Sequence, residues 1–550
     1  MMSPKDGRST KVWTKQLKGI TLGAACLAAF STGTPYVCSS YAPQLAQQLG
    51  LTSKQTNAIM MSANSGGYLA GPFTGLLVDA RGPRLTLLLG SVGVFLGYYT
   101  LKAFYDSGAD GLYSQFGLIP LVLCQGLVGA GSSSSYAGFT NGCAKAFSHQ
   151  RRATVLSICI ACLGLSAFVY STLAASYIGT HLIPGIDATS SFLCLLAFGT
   201  GGSILLASFA IQPRSFVHDY AEVPSSTDAA ETLSGADALD ASDSHLSIPE
   251  LRPGSPDESS ITLLTRDIVF TVDRTEVERA RSELPLTSIR VPEKNLSGKA
   301  LLCSINFWAL FLYLGVLCGC GLMYINNVGT ILFSLPSTSF ASSAIALKEA
   351  QHRLVALLSI TNCLGRLCYG PVTDYVTRNY RIDRTWFAIP IAATFVLANL
   401  WVGSKSSRDG FLGLEGPTAL VGFAYGSMAG STPVLCIDWF GLASFSTNLG
   451  LLGTSPAIFG NILNLLFGAI YDSHSHPAPT LPHTIEDGAP SAEALSEAAG
   501  PLCSLGQACF HEAFQVTTAL SCFALGLAIW MGVRRDRSVI EERKALGEED

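Results

Sequence analysis

The stretch VALLSITNCLGRLCYGPVTDY, residues 355–375, decides how the chain is read. It is long and apolar enough to cross a bilayer as a helix. Asp374 and the loop arginines Arg378, Arg381 and Arg384 mark its aqueous end, and it carries Arg366 in its interior. At about 1.5 Å rise per helical residue, the eight positions back from Asp374 put Arg366 roughly 12 Å into the span. A cation there costs at least about 2.5–3.5 kcal/mol on insertion scales, so it needs water or a partner. Two readings stand. Arg366 either anchors an anionic substrate, ideally a carboxylate met in bidentate fashion, or it is structural and pairs with backbone carbonyls or with Asp374. Asn362 lies four positions earlier, one turn away on the same helix face.

The rest of the chain resembles this stretch in composition. Of 550 residues, 49% are hydrophobic and only 13% charged, against about 25% charged in soluble domains. Apolar runs fall near 17–41, 57–78, 85–103, 118–141, 153–177 and 190–211, then near 300–324, 353–375, 385–402, 417–438, 446–471 and 513–533. This predicts an all-α membrane protein with twelve transmembrane helices in two six-helix bundles. The bundles occupy 17–211 and 300–533, flanked by tails at 1–16 and 534–550. The interval 212–299 is rich in Ser, Asp, Glu and Pro and is expected to be disordered, as a regulatory loop or a plain tether.

Lysine and arginine collect on alternate sides of the spans. One side receives Lys5, Arg8, Lys11, Lys15 and Lys18, then Arg81 and Arg84, then Lys145, Arg151 and Arg152, then Arg378, Arg381 and Arg384, and finally Arg534, Arg535 and Arg537. The positive-inside rule makes that side, with both termini, cytoplasmic. Most of the sixteen cysteines lie within apolar runs, where Cys acts as a small hydrophobe, and none has zinc-ligand spacing. Cys503 and Cys509 are the exception. They sit in a polar, non-cytoplasmic loop, as a disulfide or as two free thiols. No basic stripe points to nucleic acid, and no span carries the paired His, Asp or Cys of a membrane-embedded enzyme.

One motif recurs at the cytoplasmic end of the second helix of each half. The first copy is Gly75-Leu-Leu-Val-Asp79-Ala-Arg81-Gly82-Pro-Arg84, and the second is Gly370-Pro-Val-Thr-Asp374 followed by Arg378. The glycine lets a neighbouring helix approach, and the aspartate can pair with loop arginines or cap an adjacent helix N-terminus. Such a contact can latch one conformation shut.

The motif resembles the signature loop of the major facilitator superfamily, Gly-x-x-x-Asp-Arg-x-Gly-Arg-Arg/Lys, with Ala80 and Pro83 departing from the basic pattern. That resemblance implies two bundles around a central cavity that work by alternating access. Arg366-x-x-x-Gly370-x-x-x-Asp374 is similar to the eighth-helix pattern of monocarboxylate transporters, in which the matching arginine engages the substrate carboxylate. The segments Gly33–Tyr36, Tyr41–Pro43, Gly450–Pro456 and Gly468–Asp472 resemble the fungal monocarboxylate-transporter-homologue group and the nodulin-like transporters. Cys503-x-x-Gly506-x-x-Cys509 is similar to a luminal cysteine motif of those relatives. For the fungal group the resemblance implies a transporter of the vacuolar membrane. Gln125 stands where proton-coupled drug exporters of the superfamily carry Arg, which disfavours drug–proton antiport.

The candidate substrate contacts are Arg366, Asn362, Tyr324, Asn327, Tyr36, Ser40 and Tyr136, with Ser39, Ser133, Ser134 and Asn326 as further polar residues near them. No Asp or Glu lies deep in a span, so facilitated or exchange transport is as compatible with the sequence as proton coupling. The expected function is a secondary transporter that moves a small organic anion across an intracellular membrane, as a monomer and without cofactor or metal. The alternatives are a nutrient sensor on the transporter fold, or a carrier of a non-carboxylate solute.

Overall fold

A computed structural model describes residues 6–179, 188–211, 260–265, 268–273, 295–335, 344–404, 411–474, 503 and 505–545. Twelve helical segments occupy the positions of the twelve apolar runs. In the N-terminal half they are α1 (Asp6–Thr32), α2 (Ser53–Arg81), α3 (Pro83–Ser107), α4 (Ile119–Ala146), α5 (His149–Gly179) and α6 (Thr189–Ala210). In the C-terminal half they are α7 (Ile305–Ser334), α8 (Ala344–Tyr380), α9 (Ala388–Gly403), α10 (Phe411–Phe440), α11 (Phe445–His474) and α12 (His511–Ala545). Among the described residues, nine of these helices are long and apolar enough to cross a membrane by themselves. A tenth follows if α4 is joined to the bent segment Ala109–Phe116 before it. Leu69, Phe73, Leu206, Phe209 and Leu465 lie exposed on the outer faces, a display that suits lipid and not water.

Local sequence sets the helix ends. Thr52 and Gln55 form a reciprocal capping box at the start of α2. Its end is set by Gly82, whose φ of 86° lies in the left-handed region, and Pro83 then opens α3 at its first position. α1 ends before the apolar run 17–41 does: it stops at Thr32, and a 3-10 turn with Pro35 in its first turn covers Thr34–Ser40. α11 is broken between Leu452 and Thr454, and α12 carries the helix past the apolar run to Ala545, through the tail read from sequence as 534–550.

Within the interval read as disordered, an antiparallel hairpin pairs β1 (Ser260–Thr265) with β2 (Ile268–Asp273). The interval's last residues belong to the C-terminal half. The Leu296 amide donates to the Phe440 carbonyl (3.0 Å), and Asn448 donates to the Leu296 carbonyl (2.9 Å). Cys503 and Cys509 are joined as a disulfide, and the Cys503 amide donates to the Tyr471 hydroxyl at 3.1 Å.

Helices pack mainly within their own half. Across the halves the close pairs are α2 with α11 and α5 with α8, with α10 also resting on α5. This two-fold arrangement repeats the sequence motif in space and leaves a cavity between the halves.

Candidate functional site

The cavity has a volume of about 270 Å³ and is walled by α1, α2, α4 and α5 on one side and by α7, α8, α10 and α11 on the other. Among the described residues, Arg366 is the one charged side chain in its lining. The residue is 7% exposed; Nε donates to Asn362 Oδ1 (3.0 Å) and Nη1 to the Ile160 carbonyl across the interface (3.0 Å). Gly164 makes this crossing feasible, since a Cβ there would sit 3.3 Å from the guanidinium Cζ. Both fixed partners are neutral oxygens, and no carboxylate lies within ion-pair distance among the described residues. The alternative pairing with Asp374 does not occur, because that carboxylate is committed elsewhere.

Tyr136 also lines the cavity, its ring set edge-on against Phe139 at 5.4 Å. Ser133 lines it too, whereas Ser134 turns to the Ala130 carbonyl (3.0 Å). Two expected contacts are corrected. Tyr324 is fully buried away from the cavity, its hydroxyl 2.6 Å from Thr418 Oγ1, where it ties α7 to α10. Asn327 donates to the Met323 carbonyl (2.8 Å) and to Asn464 Oδ1 (3.1 Å), and Asn326 reaches the same Asn464 oxygen, tying α7 to α11. Both serve the interhelical bonding that is common for polar side chains in membranes. Tyr36, Ser39 and Ser40 lie in the 3-10 turn, and their side chains are outside the described residues.

Sequence reasoning missed Asn64, Tyr68 and Thr74 of α2, which face the cavity together with Gly71. Their spacing of three and four positions puts them on one helix face. That polar stripe in an apolar span was the signal available.

The duplicated motif closes one end of this cavity. Asp79 Oδ2 accepts from the Thr447 amide and hydroxyl (both 2.8 Å), and Oδ1 accepts from the Ser446 amide (3.3 Å) and from Asn141 Nδ2 (3.0 Å). The carboxylate thus caps the N-terminus of α11 in the other half. Asp374 meets α5 one turn inside its start at His149: Oδ2 accepts from the Thr154 amide (2.8 Å) and hydroxyl (2.6 Å). The motif glycines bring these helices together, because a Cβ at Gly75 would strike the Ser446 carbonyl and one at Gly370 the Ala153 carbonyl. The motif arginines take no part in either cap. Arg84 donates to the Ile211 carbonyl (3.2 Å), and neither Arg81 nor Arg378 is hydrogen-bonded to an aspartate among the described residues.

The cation that does matter here is Arg384, which looked from sequence like an ordinary loop charge. It is 4% exposed. Nη2 donates to Asp374 Oδ1 (3.0 Å) and to the His149 carbonyl (3.1 Å), and Nη1 donates to Asp438 Oδ2 (3.0 Å). Among the described residues, hydrogen bonds between the halves all lie from the level of Cys363 towards this end. The conformation is therefore shut at the aspartate end.

The family model described as Major Facilitator Superfamily matches residues 21–462. The chain belongs to that superfamily. It is therefore a multi-pass membrane transporter and not an enzyme. Among curated proteins, this facilitator is 27% identical over 490 residues to the uncharacterized membrane protein YMR155W of Saccharomyces cerevisiae, covering 80% of this chain and 85% of that one. It is 23% identical over 570 residues to the protein named "Probable transporter mch1" of Neurospora crassa, covering 96% and 90%. The yeast protein named "Probable transporter MCH1" is 25% identical over 81% of this chain and 83% of its own. Among solved structures, the proton:xylose symporter XylE superposes with a TM-score of 0.58 at 10% identity over 94% of this facilitator and 96% of that chain. FucP in the outward conformation gives 0.53 at 11% identity over 92% and 99%. These two likenesses concern the fold alone.

Proposed function

We propose that this facilitator carries a small organic anion, monocarboxylate-like, across an intracellular membrane by alternating access. The observation that carries the reading is the electrostatics of the cavity. Among the described residues its single charge is the Arg366 guanidinium, held in place by two neutral oxygens and balanced by no acid in the lining. A cation in that setting gains most from a cargo of opposite sign, and its planar fork suits a carboxylate.

The closed end, rich in Lys and Arg, faces the cytoplasm in this reading, together with both termini. The vacuolar membrane is favoured by the resemblance of the Gly33–Pro43 and Gly450–Pro456 segments to the fungal group. Among the described residues no carboxyl group lines the cavity, so in this reading a coupled proton would travel on the cargo.

The test is uptake of labelled pyruvate and lactate into vesicles that contain the purified protein, with and without a pH gradient. Arg366→Ala removes a charge-assisted, bidentate contact that contributes about 1.5–3 kcal/mol per hydrogen bond. The expected result is at least a hundredfold loss in kcat/KM at normal abundance. Undiminished anion flux in that variant refutes the site, and transport confined to neutral solutes refutes the substrate class.

A further inference from the structure

We propose that Arg534 and Arg537 of α12, with Asn306 of α7, form a binding site for the phosphate of an anionic membrane phospholipid. The site lies on the outer surface, at the closed end of the molecule, and is independent of what the cavity carries.

Where α12 passes its apolar run, its charges are sorted by face. Trp530, Val533, Arg534 and Arg537 stand at i, i+3, i+4 and i+7, on one side of the helix, and all four are exposed. Arg535 and Asp536 fall on the opposite side and are matched there. Arg535 Nε donates to Asp383 Oδ2 (3.3 Å), and Asp536 Oδ2 accepts from Trp386 Nε1 (3.2 Å). Both acids are thereby committed to the inner face, and neither Arg534 nor Arg537 makes an ion pair among the described residues. Arg534 is also held in advance. Its Cζ lies 5.1 Å from the centre of the Trp530 ring, a cation–π contact, and Nε donates to Asn306 Oδ1 at 2.7 Å. That leaves four of the five guanidinium N–H donors without a hydrogen bond among the described residues. A fork already fixed loses less freedom when it closes on an anion, and its spacing matches two oxygens of a phosphate.

The surroundings say where the anion comes from. Ile529 and Val533 of α12, and Leu302, Ile305 and Trp308 around the start of α7, are exposed apolar side chains. They continue the lipid-facing surface of the spans up to the two arginines. Tryptophan is enriched at the level of lipid headgroups, and Trp308 and Trp530 stand two and four positions from Asn306 and Arg534. The positive pair therefore sits where apolar surface gives way to water, at the depth of lipid phosphates. A soluble phosphate ester would meet the same charges but gain nothing from the apolar surface beside them. A phospholipid satisfies both.

The experiment is equilibrium binding to the full-length purified protein in neutral detergent. The radiolabelled probes are dihexanoyl phosphatidylglycerol, dihexanoyl phosphatidylcholine and glycerol 3-phosphate. Each basic residue near an anionic lipid surface contributes about a factor of five, so phosphatidylglycerol should bind at least about tenfold tighter than phosphatidylcholine. In Arg534→Gln/Arg537→Gln that preference should fall to within about threefold. Arg151→Gln/Arg381→Gln removes two other exposed arginines and should keep the full preference. Asn306→Ala keeps both charges but frees the fork, and should weaken the preference about threefold. Equal affinity for the two lipids in the unmodified protein overturns the proposal. So does a preference that survives Arg534→Gln/Arg537→Gln, or one lost equally in Arg151→Gln/Arg381→Gln, which would mean a diffuse field and not a site. Glycerol 3-phosphate bound as tightly as phosphatidylglycerol overturns the lipid assignment in favour of a soluble phosphate ester. An unchanged preference in Asn306→Ala overturns the prearranged fork.

Discussion

Replacing Asp79 with alanine should unlock the closed end of the cavity, and the structure sets the scale of the effect. The carboxylate accepts three hydrogen bonds from α11, namely the Ser446 and Thr447 amides and the Thr447 hydroxyl. All three join the two halves, so they exist only while this end is shut. Each hydrogen bond to a charged acceptor contributes about 1.5–3 kcal/mol, but once the end opens water takes over the freed amides. The differential stabilisation of the shut state is therefore about 2–4 kcal/mol, below the simple sum. At about 1.4 kcal/mol per factor of ten, the shut-to-open ratio should fall by about 30- to 700-fold.

Asp79→Asn separates charge from geometry. It retains a carbonyl oxygen for the Thr447 amide and loses the attraction to the helix N-terminus, a term of up to about 2 kcal/mol in partly buried settings. A smaller shift than for alanine should follow. The assay is pulsed electron spin resonance between non-natural spin-labelled residues at Ser148 and Ala443. Both are exposed at this end, one in each half. The expected outcome is a second, longer distance population in Asp79→Ala, weaker in Asp79→Asn and absent in the parent. A single unchanged distance in Asp79→Ala, in folded protein, would refute the capping argument.

Arg384→Ala leaves Asp374 and Asp438 buried without their cation, which should cost about 3–5 kcal/mol and show as a lower thermal midpoint by fluorescence-detected gel filtration. Arg384→Lys should recover part of the loss. Asn362→Ala removes the oxygen that holds Arg366 Nε and should raise KM for a transported anion about fivefold, for about 1 kcal/mol, with kcat little changed. Asn362→Asp should be worse than alanine, since it places a fixed carboxylate where the cargo's charge is needed; a KM equal to that of the parent would contradict this. Cys509→Ser opens a short disulfide loop and should lower stability by about 2 kcal/mol, with reductant producing the same shift in the parent and none in the variant.

The sequence announced the scaffold because its evidence is local. An apolar run either reaches the length of a bilayer or does not, and a motif that recurs in both halves shows itself by position. Helix ends were less legible. α1 yields to the turn at Pro35, and α12 continues to Ala545, with Arg535 and Asp536 meeting Asp383 and Trp386 just beyond the apolar run. Arg366 stood out because a lone charge in an apolar run is unusual wherever it points. Tyr324 and Asn327 were misplaced for the opposite reason. A polar residue on a span reveals its helix and depth, but the helix it meets is a tertiary fact. Arg384 is the sharpest case: three loop arginines follow Asp374, and only the fold buries this one between two carboxylates.

The two caps look unequal, yet they present the same charge. Asp79 meets α11 with a polar companion, Asn141, which donates to both Asp79 and Ser446. Asp374 meets α5 with Arg384 and Asp438 behind it. Two carboxylates and one guanidinium leave one net negative charge, which is what Asp79 offers alone. The ionic cluster lies within the C-terminal half, apart from its contacts with His149 and Thr154. Opening this end therefore need not separate buried ions, which would be prohibitive. It releases amide and hydroxyl donors of α11 and α5 and leaves the charges paired. This also explains why Ala80 and Pro83 can depart from the basic loop pattern without disabling the closure. Neighbouring Arg81 and Arg84 lie outside the caps: Asp79 holds a helix end, and the arginine that Asp374 holds is Arg384, outside the motif. A latch built this way is strong enough to define one state and weak enough for a cargo that bridges both halves to tip it.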